Sequence, residues 1–252
     1  MIIGIIPARY GSTRFPGKVL ADIHGKPLIQ WVYEQAQKSK KLDRVIIATD
    51  DDKVYSKVKN FGGEVVMTSS SHESGTDRCA EVAKELNLEE SDIVLNIQGD
   101  EPLISPNQID DLASLLDKED IQLGTLVKKG GKEDDILSEN LVKVVLRKDG
   151  SAIYFSRSPL PHIRGKEKES WGKLTQFWTH VGLYGYKVKC LMKITNLEVG
   201  ELESLEKLEQ LRWIENGFTI FTKETKEKNI GVDTPEDLKR ILDLLENKKA
   251  LD

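Results

Sequence analysis

An apolar run, Ile2-Ile3-Gly4-Ile5-Ile6, opens into Pro7-Ala8-Arg9-Tyr10-Gly11-Ser12-Thr13-Arg14-Phe15-Pro16-Gly17-Lys18. Three cations, Arg9, Arg14 and Lys18, stand five and four residues apart, with Gly11 and Gly17 between them. Glycines let a backbone approach phosphate oxygens closely, and cations at this spacing can face them, so the loop suits a triphosphate. Taken singly, the same cations are ordinary solvated side chains. The loop is not the ATPase type, whose Gly-Lys-Ser/Thr ending starts a helix directly. Here Gly17-Lys18 is followed by Val19-Leu20.

A second cluster, Gln98-Gly99-Asp100-Glu101-Pro102, follows the apolar run 93–97. An aspartate at a strand end can hold a hard cation that bridges phosphates, and it can equally form a turn before a helix. Its candidate partner is Asp233, in Gly231-Val232-Asp233-Thr234-Pro235-Glu236-Asp237. Capping accounts for Thr234 to Asp237: a threonine cap, proline in the first turn and acids at the positive end of the helix dipole. It leaves Asp233 unexplained. In Ser74-Gly75-Thr76-Asp77-Arg78 a helix cap and a ligand site read equally well. His180 and Tyr184 share one face of the strand read over 178–186, and with Gln98 they could bond a polyhydroxy substrate. A satisfied core histidine is the alternative. Glu209 and Gln210 lie on a helix whose leucines 202, 205, 208 and 211 read as core, with Glu203 and Lys207 as a surface pair. Arg157 and Arg164 could grip a carboxylate in a two-pronged contact, or simply be solvated.

The elements that must position these groups alternate through the first half. Strands are predicted at 2–6, 44–48, 64–67 and 93–97, and helices at 27–38, 53–60, 76–86 and 106–116. That rhythm predicts an α/β fold, a mostly parallel sheet with helices on both faces. Ligands of such sheets sit beyond the carboxyl ends of the strands, where the loops after 6, 67 and 97 fall. The second half reads as strands at 122–127, 142–146, 152–155, 178–186 and 218–222, a charged mobile loop at 165–172, and helices at 202–214 and 235–245. One unit is expected, 1–252, with a small lobe inserted at about 128–200.

The 252 residues are 38% hydrophobic and 31% charged, ordinary for a globular chain. The net charge of −5 speaks against a nucleic-acid partner. Cys79 and Cys190 have no metal spacing and fit helices in a reducing, cytoplasmic setting. No signal peptide or membrane span is read.

Taken together, these segments resemble the 3-deoxy-manno-octulosonate (Kdo) cytidylyltransferases, or CMP-Kdo synthetases. The likeness runs over nearly the whole chain. It rests on the head loop, Ala48-Thr49-Asp50, Ser74 to Arg78, Gln98 to Pro102, Tyr154 to Arg157, His180 with Tyr184, Leu208 to Arg212, and Val232 to Asp237. The resemblance implies a Rossmann-like nucleotidyltransferase sheet with a small substrate and dimerisation lobe. It implies the reaction of CTP with Kdo to give CMP-Kdo and pyrophosphate, with Mg2+, in a cytoplasmic homodimer serving lipopolysaccharide synthesis. By the matching motifs, Ala8, Arg9, Gly11 and Lys18 would meet the nucleotide's triphosphate, and Ser74, Gly75 and Arg78 its cytosine and ribose. Asp100 and Asp233 would bind magnesium, and these two with Arg9 and Lys18 would form the catalytic set. Arg14, Gln98, Arg157, Arg164, His180, Tyr184, Glu209 and Gln210 would line the sugar-acid site. Rival readings are a sister enzyme using the 8-amino analogue of Kdo, another sugar nucleotidyltransferase, and a non-catalytic CTP-binding regulator.

Overall fold

The computed structural model describes residues 1–11, 15–130 and 136–249. Arg14 therefore lies outside the described residues. The chain opens with β1 (Ile2–Pro7), α1 (Leu28–Ala36), β2 (Arg44–Thr49), α2 (Asp52–Asn60), β3 (Val65–Met67), α3 (Gly75–Glu85), β4 (Ile93–Asn96) and α4 (Pro106–Leu116). It continues with β5 (Leu123–Lys129), β6 (Lys143–Leu146), β7 (Ala152–Ser156), α5 (Trp171–Leu174), β8 (Trp178–Lys187) and α6 (Val188–Ile194). It closes with α7 (Glu201–Glu206), α8 (Gln210–Glu215), β9 (Phe221–Glu224) and α9 (Pro235–Lys249).

These nine strands form one sheet with the spatial order β9-β5-β8-β4-β1-β2-β3, while β6 and β7 extend from β8. The β4-β1-β2-β3 side is parallel throughout. β1 lies at its centre, and its middle residues are buried on both faces, as parallel strands require. β8 then runs antiparallel between β4 and β5, and β9 is parallel to β5. Two apolar layers cover the sheet. Leu28, Val32, Val54, Val58, Leu112 and Ile241, from α1, α2, α4 and α9, pack on one face. Cys79, Val82, Leu191, Leu211 and Trp213, from α3, α6 and α8, pack on the other.

Local chemistry sets the helix starts. The Asp51 carboxylate accepts the N–H groups of Lys53 and Val54, at 2.8 and 3.1 Å, and so caps α2. Ser74 and Asp77 make a reciprocal capping box on α3. Thr234 and Asp237 make a second one on α9.

Four expectations need correction. The helix expected over 202–214 is two, because Lys207 adopts φ 53° and ends α7. Glu203 does not pair with Lys207 through its side chain; it holds the Arg212 guanidinium at 2.6 and 2.7 Å. The charged stretch 165–172, expected as a mobile loop, contains the start of α5. Trp171 is buried there, and its indole N–H donates to the Lys166 carbonyl at 3.0 Å. The last strand sits at Phe221–Glu224, three residues beyond its expected start. Both cysteines are buried in helices as free thiols. No helix among the described residues is long and apolar enough to cross a membrane.

Candidate active site

Four loops at the carboxyl edge of the sheet, one of them the loop that leads into α3 at Ser74, enclose a cleft of ≈ 310 Å³. Arg9, Lys18, Ser74, Gly75, Arg78, Gln98, Asp100 and Asp233 all line it. The first loop folds back through a bond from the Gly17 N–H to the Tyr10 carbonyl, 3.0 Å. Gly17 sits at φ 71°, which a side chain would strain, and a short turn, Lys18–Leu20, follows it. The second loop leaves β4. A Cβ on Gly99 would lie 2.5 Å from the Pro7 carbonyl oxygen, so only glycine lets the ends of β1 and β4 come this close.

The third loop is anchored to the second by a backbone bond from Val232 N–H to the Asp100 carbonyl, 2.9 Å. The carboxylates of Asp100 and Asp233, distant in sequence, therefore meet. Both accept from the Lys18 ammonium, whose Nζ lies 2.6 Å from Asp100 Oδ2 and 3.1 Å from Asp233 Oδ1. Asp237 takes the Asp233 N–H at 3.1 Å. Partial burial pushes the Asp237 carboxyl up, but this bond and those from Thr234 hold it below the usual carboxylate range.

The remaining cleft residues play different parts. Arg9 is exposed and has no polar partner among the described residues. Gly11 is exposed beyond it. Ala8 is buried, and both its backbone groups are taken: its N–H donates to the Ala48 carbonyl, and its carbonyl accepts from the Thr49 hydroxyl. Ala8 thus shapes the loop and offers no free amide to a phosphate. Arg78 is buried against Thr68 and Asp50, 2.9 Å from the Asp50 carboxylate. Gln98 donates to the Gly182 carbonyl at 3.0 Å. His72, bonded to Glu81, and Glu73 also line the cleft and carried no motif signal beyond the polar run before Ser74. Glu101 accepts from Asn229 at 2.6 Å, while enclosure pushes its carboxyl up to about 7.

The other expected residues lie outside this cleft. His180 bonds Thr125 Oγ1 at 3.1 Å and sits edge-on to Phe155, and burial drives its pKa down to about 3, so it is neutral. Its ring centroid is 5.2 Å from that of Tyr184. The buried Tyr184 hydroxyl and Gln210 Nε2 have no hydrogen-bond partner among the described residues. Glu209 accepts from Thr76 Oγ1, on α3, at 2.9 Å, and its burial raises the carboxyl pKa against that bond.

Arg157 departs from expectation. Its guanidinium donates to the carbonyls of Glu206 at 2.7 Å, Glu139 at 2.9 Å and Lys207 at 3.4 Å, rather than standing free for a carboxylate. The end of α7 leaves carbonyls unpaired, and a cation satisfies them. Sequence reasoning also missed Lys143, fully buried, which donates to the carbonyls of Ser138 at 2.8 Å, Leu141 at 2.5 Å and Arg157. Arg164 is exposed, with no polar partner among the described residues.

The cleft thus gathers two cations, Arg9 and Lys18, and a pair of carboxylates, Asp100 and Asp233, at the carboxyl edge of the sheet. A cytidylyltransferase family model matches residues 3–241, and the chain belongs to that family. Within it, a 3-deoxy-manno-octulosonate cytidylyltransferase of Thermodesulfovibrio yellowstonii is 51% identical over 94% of both chains. That of Parabacteroides distasonis is 50% identical over 98% of both. Among solved structures, a CMP:2-keto-3-deoxy-manno-octonic acid synthetase complexed with CTP superposes with a TM-score of 0.89. It is 39% identical, covering 98% of this chain and 99% of that one.

Proposed function

We propose that this chain transfers the cytidylyl group of CTP to the anomeric hydroxyl of Kdo, releasing pyrophosphate and supplying CMP-Kdo for lipopolysaccharide synthesis. The reading rests on one observation above all: Lys18, Asp100 and Asp233 converge at the mouth of the sheet, in a chain about half identical to enzymes of that name. In the reaction the sugar oxygen bonds to the α-phosphorus, the bond from that phosphorus to the pyrophosphate oxygen breaks, and the hydroxyl proton leaves to solvent.

Both reactants are anions, and the chain's groups answer that problem. Arg9 and Lys18 would stabilise charge growing on the leaving pyrophosphate. Ser74, Gly75 and Arg78 would enclose the cytosine and ribose, and Gly11 would let the head loop close on the phosphates. Asp100 and Asp233 suit Mg2+: they are two hard oxygen donors, and they already surround a cation, the Lys18 ammonium. Bound there, the metal supplies charge neutralisation between the reactants and makes the attacking hydroxyl more acidic. Gln98, His180, Tyr184, Glu209, Gln210, Arg14 and Arg164 would take the sugar acid, while Arg157 braces the turns beside them through its carbonyl bonds.

We further read the chain as one unit with a substrate and dimerisation lobe at about 128–200. A homodimer is supported by exposed apolar side chains there, Ile153 and Leu174. The free buried thiols suit the cytoplasm. The test is pyrophosphate release with CTP and Mg2+, comparing Kdo, its 8-amino analogue and no sugar. Release with Kdo above both other arms is expected. Faster release with the amino sugar transfers the activity to the sister reaction, and CTP binding without release makes the chain a regulator.

A further inference from the structure

Lys18 and Arg9 are both cations of the same cleft, yet they stand in opposite conditions. Arg9 is exposed and unpartnered among the described residues. The Lys18 side chain is 13% exposed, and its ammonium is surrounded by oxygen: Asp100 Oδ2 at 2.6 Å, Asp233 Oδ1 at 3.1 Å and the Val232 carbonyl at 3.1 Å. An ammonium carries three protons and no more. Three acceptors lie within reach, so the protons are committed. A phosphate oxygen can gain a bond from Lys18 only if one of these is given up, and a divalent ion can take the two carboxylates only if the ammonium leaves them.

We propose that Lys18 is the resident counter-ion of the acid pair and exchanges with the divalent cation, so that nucleotide binding and metal binding are coupled through this one side chain. Without nucleotide the ammonium neutralises part of the charge between Asp100 and Asp233 and competes with free metal for the same oxygens. The triphosphate offers Lys18 alternative acceptors, and its departure opens the pair. By linkage, whatever factor the nucleotide adds to metal affinity, the metal adds to nucleotide affinity. Lys18 thereby sets the order in which the site fills. The inference rests on the reading of Asp100 and Asp233 as metal ligands.

Mn2+ binding to the nucleotide-free protein tests it, followed by the paramagnetic resonance signal of free Mn2+, with thermal unfolding to confirm that each variant is folded. Lys18→Met is expected to bind Mn2+ on the order of tenfold or more tightly than the wild type, because the competitor is gone. Lys18→Arg, which keeps a cation on the pair, is expected to stay near the wild type. Arg9→Met sets the baseline for removing one charge from the cleft without freeing a carboxylate. If Lys18→Met binds no tighter than Arg9→Met, or more weakly than the wild type, the exchange is wrong. Asp100→Asn separates the two ideas. If it leaves Mn2+ binding unchanged, the metal assignment itself fails. If it abolishes binding while Lys18→Met shows no gain, only the exchange fails.

Discussion

The corner proposed for the nucleotide and the side proposed for the sugar acid use similar residue types in opposite ways. At the corner, Lys18 donates to both Asp100 and Asp233 at the rim of an open cleft, and the two carboxylate side chains stay 29% and 47% exposed. On the sugar side, Arg157 and Lys143 bond to main-chain carbonyls, and His180, Tyr184 and Gln210 are drawn into packing. The corner is arranged around charge that a ligand can take over. The sugar side holds two turns, at 138–141 and 206–208, against β6 and β7. One region should therefore lose chemistry when cut, and the other should first lose stability.

The largest effect is expected at the corner. Asp100→Asn should lower turnover by on the order of 10³-fold or more, several kcal/mol of barrier, with a near-normal melting temperature. Equal losses in turnover and stability would erase the contrast. On the other side, Arg157→Met removes the donor that serves three carbonyls and should cost about 1–3 kcal/mol in urea unfolding. A variant of normal stability with only a raised KM for the sugar would make Arg157 a ligand instead of a brace. Ser74→Ala breaks the capping box and should cost about 1 kcal/mol in thermal unfolding. A rise in KM for CTP far beyond that loss would assign Ser74 to the nucleotide.

The smallest effect is a slope. His180, normally near 6.5, is held at about 3 by burial, so between those values the unfolded chain takes up a proton that the folded one refuses. Its contribution is fully present above pH 6.5 and is lost as pH falls through that window. His180→Gln should flatten the fall in stability between pH 7 and pH 5. An unchanged slope would mean that the ring is solvated and free to titrate.

The same contrast explains what was legible in the sequence. The corner is built of loops that follow recognisable strands, so Asp100 could be placed by the apolar run before it, and Asp233 by what capping left over. The bond between Val232 and Asp100, 132 residues apart, could not be read, nor could the pairing of Lys18 with both carboxylates. The capping of α9 is local and was legible for that reason, as was the cap on α3 as one of two readings. The sugar side depends on contacts remote in sequence. Nothing around Arg157 announces carbonyls at 139, 206 and 207. Even leucine spacing hid the break at Lys207: the repeat 202, 205, 208, 211 reads as one core face, but Leu205 is 73% exposed and only Leu208 and Leu211 are buried. The charges at 165–172 suggested solvent, and a single buried indole, Trp171, decided otherwise. The antiparallel β8 also entered the sheet beside β4 without a local signal.

A double-mutant cycle on turnover at saturating CTP and Mg2+, combining Asp100→Asn with Asp233→Asn, probes the shared site most directly. If both carboxylates serve one cation, the double variant should be little worse than the poorer single variant, because the first substitution already removes what the second would. Losses that multiply, each aspartate costing as much with its neighbour gone as with it present, would mean that the two act independently.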